Sequence, residues 1–533
     1  MKKFITLVTV LALTACGSGG SGEQPSPAPT PSPTPAPTPT PTPAATPYSL
    51  VFSTLLDGNS GAGYEMVRDM AVDAQGNIYV TGGTTAANFP TTTGAYQTTF
   101  DSSGTSVGNL GPSNVFVAKI SPSGQLLWST FIGGPNYDRA YAVRVGTDGS
   151  VYVGGRAGPG FPTTSGVVQP AFAGDSARNR EYGAQDGFVA KLSSDGKQLL
   201  WSTYVGDSKG AFLRDIDVDS QGRVYLAAVG VAQPMSAFIT SNAWQPSPTG
   251  DGNDAAYIRL SADAKTVQYG TYYGASNSDA SLSTGVASIR VAKDGSVVLA
   301  SVERGTDFKT KNAYQPNNAG GADFILMKFS TADQVVFATY LGGSGNELNE
   351  THHMALDDSG RIYLSGATRS SNYPVTTGVY QRQLNGRSDT LVSILSANGQ
   401  QLVASTLLGG NGDEMTQGIN VSHKNGSPDA VVLSGNTNST NLAVTSGAPQ
   451  TRNAGGYEAF LAVLSADLKT LRFATYMGAA GEDDGSASAI TPDASRIYFG
   501  GYTLSSTFPT TSGAIDRSIS GTYAGWLAAL RAD

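Results

Sequence analysis

The chain has 533 residues, a formal net charge of −8, one cysteine and three histidines. An acidic balance with no basic patch excludes nonspecific nucleic-acid binding, which needs cations to neutralise phosphates. A single cysteine excludes an intrachain disulfide, and three histidines leave few partners for nucleophile–base catalysis.

Residues 1–15 read as a secretion signal. Lys2 and Lys3 form a charged start, and the apolar run 4–13 is too short to span a bilayer. The run ends Leu13-Thr14-Ala15-Cys16, which resembles the bacterial lipoprotein box. That resemblance implies cleavage before Cys16, a thioether-linked lipid and an acylated mature N-terminus; two or more chains anchor stably where one does not. Gly17 follows the cysteine, a pattern similar to that of lipoproteins sent on to an outer membrane. Residues 16–47 then carry a Gly/Ser stretch and prolines alternating with Ser, Thr and Ala, with almost nothing to bury. They are expected to be a disordered, extended stalk of polyproline II character.

From residue 48 onward the sequence repeats itself. A threonine in an opening strand recurs as Thr54, Thr130, Thr203, Thr271, Thr339, Thr406 and Thr475, at steps of roughly 70 residues. An aromatic stands two positions before it in every unit except at Ala404, and a glycine usually closes the run three positions after it. Two-residue alternation ended by glycine predicts a strand. Unit two predicts four strands, at 140–145, 151–155, 188–192 and 199–205, with a tight Asp148-Gly149 turn joining the first pair. Seven units of four antiparallel strands predict an all-β fold, a seven-bladed β-propeller over 48–533. A solenoid is the rival, but it needs capping repeats at its ends. The last unit supplies only three strands. The predicted ring closure therefore pairs the N-terminal strand 49–56 with the C-terminal strand and removes an exposed edge.

The runs Phe52-Ser-Thr-Leu-Leu, Met70-Ala-Val-Asp-Ala-Gln-Gly-Asn-Ile-Tyr-Val-Thr-Gly-Gly and Phe89-Pro-Thr-Thr-Thr-Gly-Ala-Tyr-Gln resemble the bacterial SBBP family, the seven-bladed β-propeller repeat. Units three, four and six depart from it, reading Phe-Ile-Thr-Ser at 238, Phe-Lys-Thr-Lys at 308 and Leu-Ala-Val-Thr at 442. The resemblance implies the fold and a surface location. It implies no single activity, because propellers host many functions.

If the first strand of each unit is innermost, the insertions 84–114 and 156–186 lie on one face, and any ligand is expected there. Three constellations stand out. Carboxylates recur after the index threonine as Asp138, Asp279, Glu347, Glu414 and Asp483, with Glu65 and Asp215 set somewhat later. They could form a rim at the channel mouth that binds a ligand cation or Ca2+, or they could cap backbone N–H groups in their own turns. The Phe-Pro-Thr-Thr segment and the recurring Gln97, Gln169, Gln245, Gln315, Gln381 and Gln450 read either as a sugar-binding ring or as a plug between blades. His352, His353 and Glu350 are the weakest metal candidates, since adjacent strand residues face opposite ways. Apart from Ca2+ at the rim, no cofactor is predicted, and no catalytic residue is assigned. The expected partners are an envelope protein or a polysaccharide, with the membrane met only through the lipid. Three functions remain in play: a monomeric binding module on the envelope, a polysaccharide hydrolase or lyase using carboxylates, and a structural surface protein.

Overall fold

The computed structural model describes residues 48–58, 64–105, 108–174, 181–231, 234–249, 254–276, 287–350 and 352–532. The signal 1–15, Cys16, the stalk 16–47 and Asp279 lie outside the described residues.

Seven antiparallel sheets are formed, each a meander except the last, whose outermost strand comes from the other end of the sequence. In the second, Arg139–Val145, Val151–Ala157, Asp186–Leu192 and Leu199–Val205 pair in that order. Aspartate and glycine shape the first turn. Asp148 accepts the Ser150 N–H at 2.9 Å, while Gly149 takes φ +78°, a conformation that favours glycine. The strands are nearly continuous apolar runs because both faces of each inner sheet are covered.

Seven clusters of buried apolar side chains fill seven gaps between neighbouring sheets. The first strand of each sheet packs against the first strands of its neighbours. This series closes, with Asp483–Ile490 returning to Glu65–Val72. The fold is therefore a closed seven-bladed propeller with the first strands around the axis. Tyr48–Leu56 pairs antiparallel with Ala524–Ala532 and completes the last blade. Its Leu55 N–H donates to the Asp516 carbonyl at 3.1 Å, the bond that Phe131 makes to Gln97 in blade one at 2.9 Å. The N-terminal strand thus takes over every role of a fourth strand.

Two features depart from the regular repeat. The innermost strand of blade five is broken into Glu347–Leu348 and Met354–Leu356, and His352 between them has φ +57°. The first hairpin of blade six is long, Glu414–Lys424 with Ser427–Thr437, around a left-handed Asn425-Gly426 turn.

Candidate functional site: the channel mouth on the long-loop face

A meander of four strands places the second-to-third loops and the blade-to-blade loops on one face. The long segments 85–113 and 158–185 are both there, and the opposite face has short turns.

The predicted acidic rim is not at the surface of that face. Glu65, Asp138, Glu347, Glu414 and Asp483 are at most 1% exposed. Most of them accept the backbone N–H four residues earlier, as Asp138 does from Gly134 at 2.7 Å and Glu414 from Gly410 at 2.9 Å. Four take a threonine hydroxyl from the end of the second strand, such as Thr437 on Glu414 at 2.6 Å. Blade two has Ala157 at that place, and Asp138 takes the Gly158 N–H at 2.9 Å instead. These five carboxylates, among the described residues, staple blade-to-blade loops and are not open to an incoming ligand. Asp215, grouped with them by spacing, lies deeper, in an innermost strand.

Burial raises the pKa of these acids, because a dry interior penalises the charged form. It pushes Asp138 up to about 7 and Glu65, which also faces Asp57, up to about 9. Glu347, Glu414 and Asp483 rise for the same reason. Between pH 5 and 9 each of these acids therefore binds more protons in the folded protein than in the unfolded chain, and its contribution to stability falls as pH rises through that window. Urea unfolding of wild type and Glu65→Gln at pH 6 and pH 9 is expected to show that the variant loses on the order of 2–4 kcal/mol less on going to the higher pH. The same pH dependence in both would contradict this account.

The recurring glutamines are also structural. The Gln97, Gln315 and Gln381 amide oxygens accept the Gly133, Gly342 and Gly409 N–H groups at 3.0, 3.0 and 3.1 Å. Gln315 and Gln450 donate to Asp323 and Glu458. Phe89, Phe161, Phe238, Phe308 and Phe508 are buried in the gaps between blades. The acids at the start of the third strand in blades two to six, Asp186, Asp254, Asp323, Asp389 and Glu458, were not singled out from the sequence. Their recurrence just before Gly-Phe-type apolar runs was the available signal.

The histidines do not converge on a metal. Among the described residues, no group of three or more His, Cys, Asp or Glu side chains could hold one. His353 is fully buried, close to Asn349 and Ser288, and burial lowers its pKa to about 3. His352 reaches across the axis and donates to the Tyr141 carbonyl at 2.8 Å. It lies 3.5 Å from both Asp69 and Asp215. These two acids hold Arg144 at 2.7 Å each, and Arg290 joins Asp215 at 2.5 Å. Together they plug the channel. Below the plug a cavity of about 320 Å³ opens between the innermost strands.

Above the plug, toward the long loops, the chemistry changes. The guanidiniums of Arg214, Arg139, Arg156 and Arg68 lie 4.5, 4.8, 5.3 and 5.5 Å from the centre of the Tyr141 ring. They come from three blades, because β-bulges interrupt the innermost strands there, between Val67 and Asp69, Ala140 and Ala142, and Leu213 and Asp215. A bulge re-aims the extra residue, here Arg68, Tyr141 and Arg214, toward the axis. Arg139 and Arg156 are only 5% exposed. Tyr182, carried by the loop 158–185, lies 4.5 Å from Arg156 and 5.2 Å from Arg139.

None of the four arginines has a carboxylate within ion-pair distance among the described residues. The Nε atoms of all four, and Nη1 of Arg214, are buried without a hydrogen-bond partner. Like charges this close repel by on the order of 1–2 kcal/mol per pair at an effective dielectric of about 20. Cation–π contact returns about 0.5–2 kcal/mol each. Burial pushes the Tyr141 phenol up, but the four arginines pull it down to about 6. Arg139 donates to the Tyr141 and Tyr64 hydroxyls. Glu350, half-buried, and Asp484 contribute negative potential. Asp484 is already held by Gln417 at 2.6 Å and Asn436 at 2.8 Å. The mouth carries a cationic cluster packed on aromatic rings, in an acidic protein.

The fold defines the class, a seven-bladed β-propeller. SBBP, the beta-propeller repeat, matches residues 52–90 and 336–374, which lie across the last and first blades and across the fourth and fifth. No curated protein matches the chain. Among solved structures it is similar to a protein of unknown function from Dyadobacter fermentans (11% identity, 91% of this chain and 99% of that one, TM-score 0.41). It is also similar to a PL25 ulvan lyase bound to -[GlcA(1-4)Rha3S]- (12%, 86% and 91%, TM-score 0.42). BamB from Moraxella catarrhalis is a third (9%, 90% and 99%, TM-score 0.34). Likeness at this level says nothing about what this chain binds.

Proposed function

We propose that the protein is an exported, lipid-anchored binding module of the cell envelope that engages a polysaccharide or an envelope protein through its long-loop face. Cys16 would carry the lipid, and the Pro/Thr-rich segment 16–47 would act as the stalk. The observation that supports this reading most is the asymmetry of the ring. Both of its longest insertions are on one face, and one of them brings Tyr182 onto the arginines at the channel mouth. Loops held by a rigid scaffold are where binding residues concentrate. Carboxylate-based glycan cleavage gains no support from Glu65, Asp138, Glu347, Glu414 and Asp483, which are enclosed and already hydrogen-bonded.

The purified full chain is expected to bind on a glycan array or to a defined envelope protein. Replacing 158–185 with a short turn is expected to abolish that binding. Binding that survives the replacement, or silence against both classes of partner, would overturn the reading.

A further inference from the structure

We propose that Arg68, Arg139, Arg156 and Arg214 form a binding site for an oxyanion, a sulfate, phosphate or carboxylate group, seated over Tyr141 at the long-loop mouth of the channel. The proposal deepens the binding-module reading and rests on it for the source of the anion.

Four guanidiniums gather around one ring, and among the described residues no carboxylate is close enough to pair with them. Their Nε–H groups are buried and unused. A buried guanidinium normally finds a planar or tetrahedral oxyanion, because its fork of donors matches those oxygens. Here the protein supplies only aromatic faces and phenol oxygens: Tyr141, Tyr64, Tyr182, Tyr137 and Phe212. These orient the guanidiniums without forming an ion pair with a carboxylate, and among the described residues only the Tyr141 oxygen, whose pKa they lower, offers a compensating charge in direct contact. The plug of Asp69, Arg144, Asp215, Arg290 and His352 closes the channel beneath. An anion entering from the long-loop face would therefore meet the guanidiniums above these side chains, and its oxygens would offer acceptors to N–H groups that have none.

A structural aromatic–arginine cluster and an anion site differ in two readouts. If the cluster served only the fold, Arg156→Gln and Arg214→Gln would destabilise the protein, and anions would change nothing specifically. If it is an anion site, each variant removes repulsion in the empty protein, so stability in chloride stays the same or rises. The experiment titrates the full chain with sodium sulfate and sodium phosphate against chloride at fixed ionic strength. One readout is the melting temperature, and the other is the phenolate absorbance near 295 nm from pH 5 to 8.

The expected result has three parts. Sulfate or phosphate raises the melting temperature above the chloride control. Either anion moves the Tyr141 ionisation midpoint upward, because a bound anion opposes the phenolate, and Tyr141→Phe removes that transition. Arg156→Gln and Arg214→Gln each weaken the anion effect at least tenfold while the protein still folds. A sulfated or uronate polysaccharide that binds, and is displaced by inorganic sulfate, identifies a polymer-borne group as the ligand. Saturation by the inorganic ion alone, with no polymer binding, identifies the free ion. No anion-specific effect in the wild type, or an undiminished effect in both arginine variants, overturns the site. Polysaccharide or protein binding that persists in those variants would overturn it while leaving the binding-module reading intact.

Discussion

A chain lacking Tyr48–Leu56 is expected to lose its cooperative fold and to self-associate. Phe52, Leu55 and Leu56 are at most 5% exposed and fill the cores on either side of the last blade. Burying three such side chains contributes about 2 kcal/mol each, and the lost ladder hydrogen bonds add about 1 kcal/mol apiece. Together that approaches the total stability of about 5–15 kcal/mol for a typical fold. The deletion also bares the long edge Ala524–Ala532, an apolar template for pairing with other chains. Size-exclusion chromatography and urea unfolding are expected to show aggregation and loss of the native transition. A synthetic peptide of residues 48–56 is expected to restore both in part. A monomeric deletion variant with unchanged stability would mean that the ring does not depend on this strand.

Asp215→Ala is expected to cost about 3–5 kcal/mol, the range for removing one partner of a buried ion pair. Asp215 has no exposed surface, and it serves Arg144, Arg290 and the Ile289 N–H. Burial alone would raise its pKa, but Arg290 and Arg144 hold it far below the usual carboxylate range. Its stabilisation is therefore complete above about pH 4 and is lost only as acid protonates it below that. Equilibrium unfolding at pH 7 checks the cost. The same variant unties the channel plug, so hydrogen exchange in Arg139–Val145 and Phe212–Val218 is expected to rise. A loss below about 1 kcal/mol would show that the plug carries little of the fold.

The seven units, the strands of unit two and the N-to-C closure were readable because a two-residue period, turn glycines and a repeated threonine are local signals. The arginine cluster at the channel mouth was not readable, because it depends on bulges. Strict alternation puts Arg68 on the same face as Met70, and Arg214 on the same face as Ile216. In the fold, Val67 and Met70 share one core cluster, and Leu213 and Ile216 share another. That spacing of three is the trace of the bulge, and it frees Arg68 and Arg214 to face the axis. Acids were weighed as site residues because they recur. Recurrence, however, marked their partnership with the recurring Thr84, Thr368, Thr437 and Thr503, which are parts of the repeat. The arginines occur in only three blades, so a search for repeated positions passes over them. His352 could not be placed from sequence, since a left-handed residue in a broken strand has no period to follow.

Hydrogen–deuterium exchange of the full chain, with and without the partner found by array or capture, tests most directly where the molecule works. Protection is predicted in the loop 158–185, in Glu65–Val72, Arg139–Val145 and Phe212–Val218 at their long-loop ends, and nowhere on the short-turn face. Protection concentrated on the short turns, such as 146–150 and 219–223, or along the outermost strands, would contradict the account.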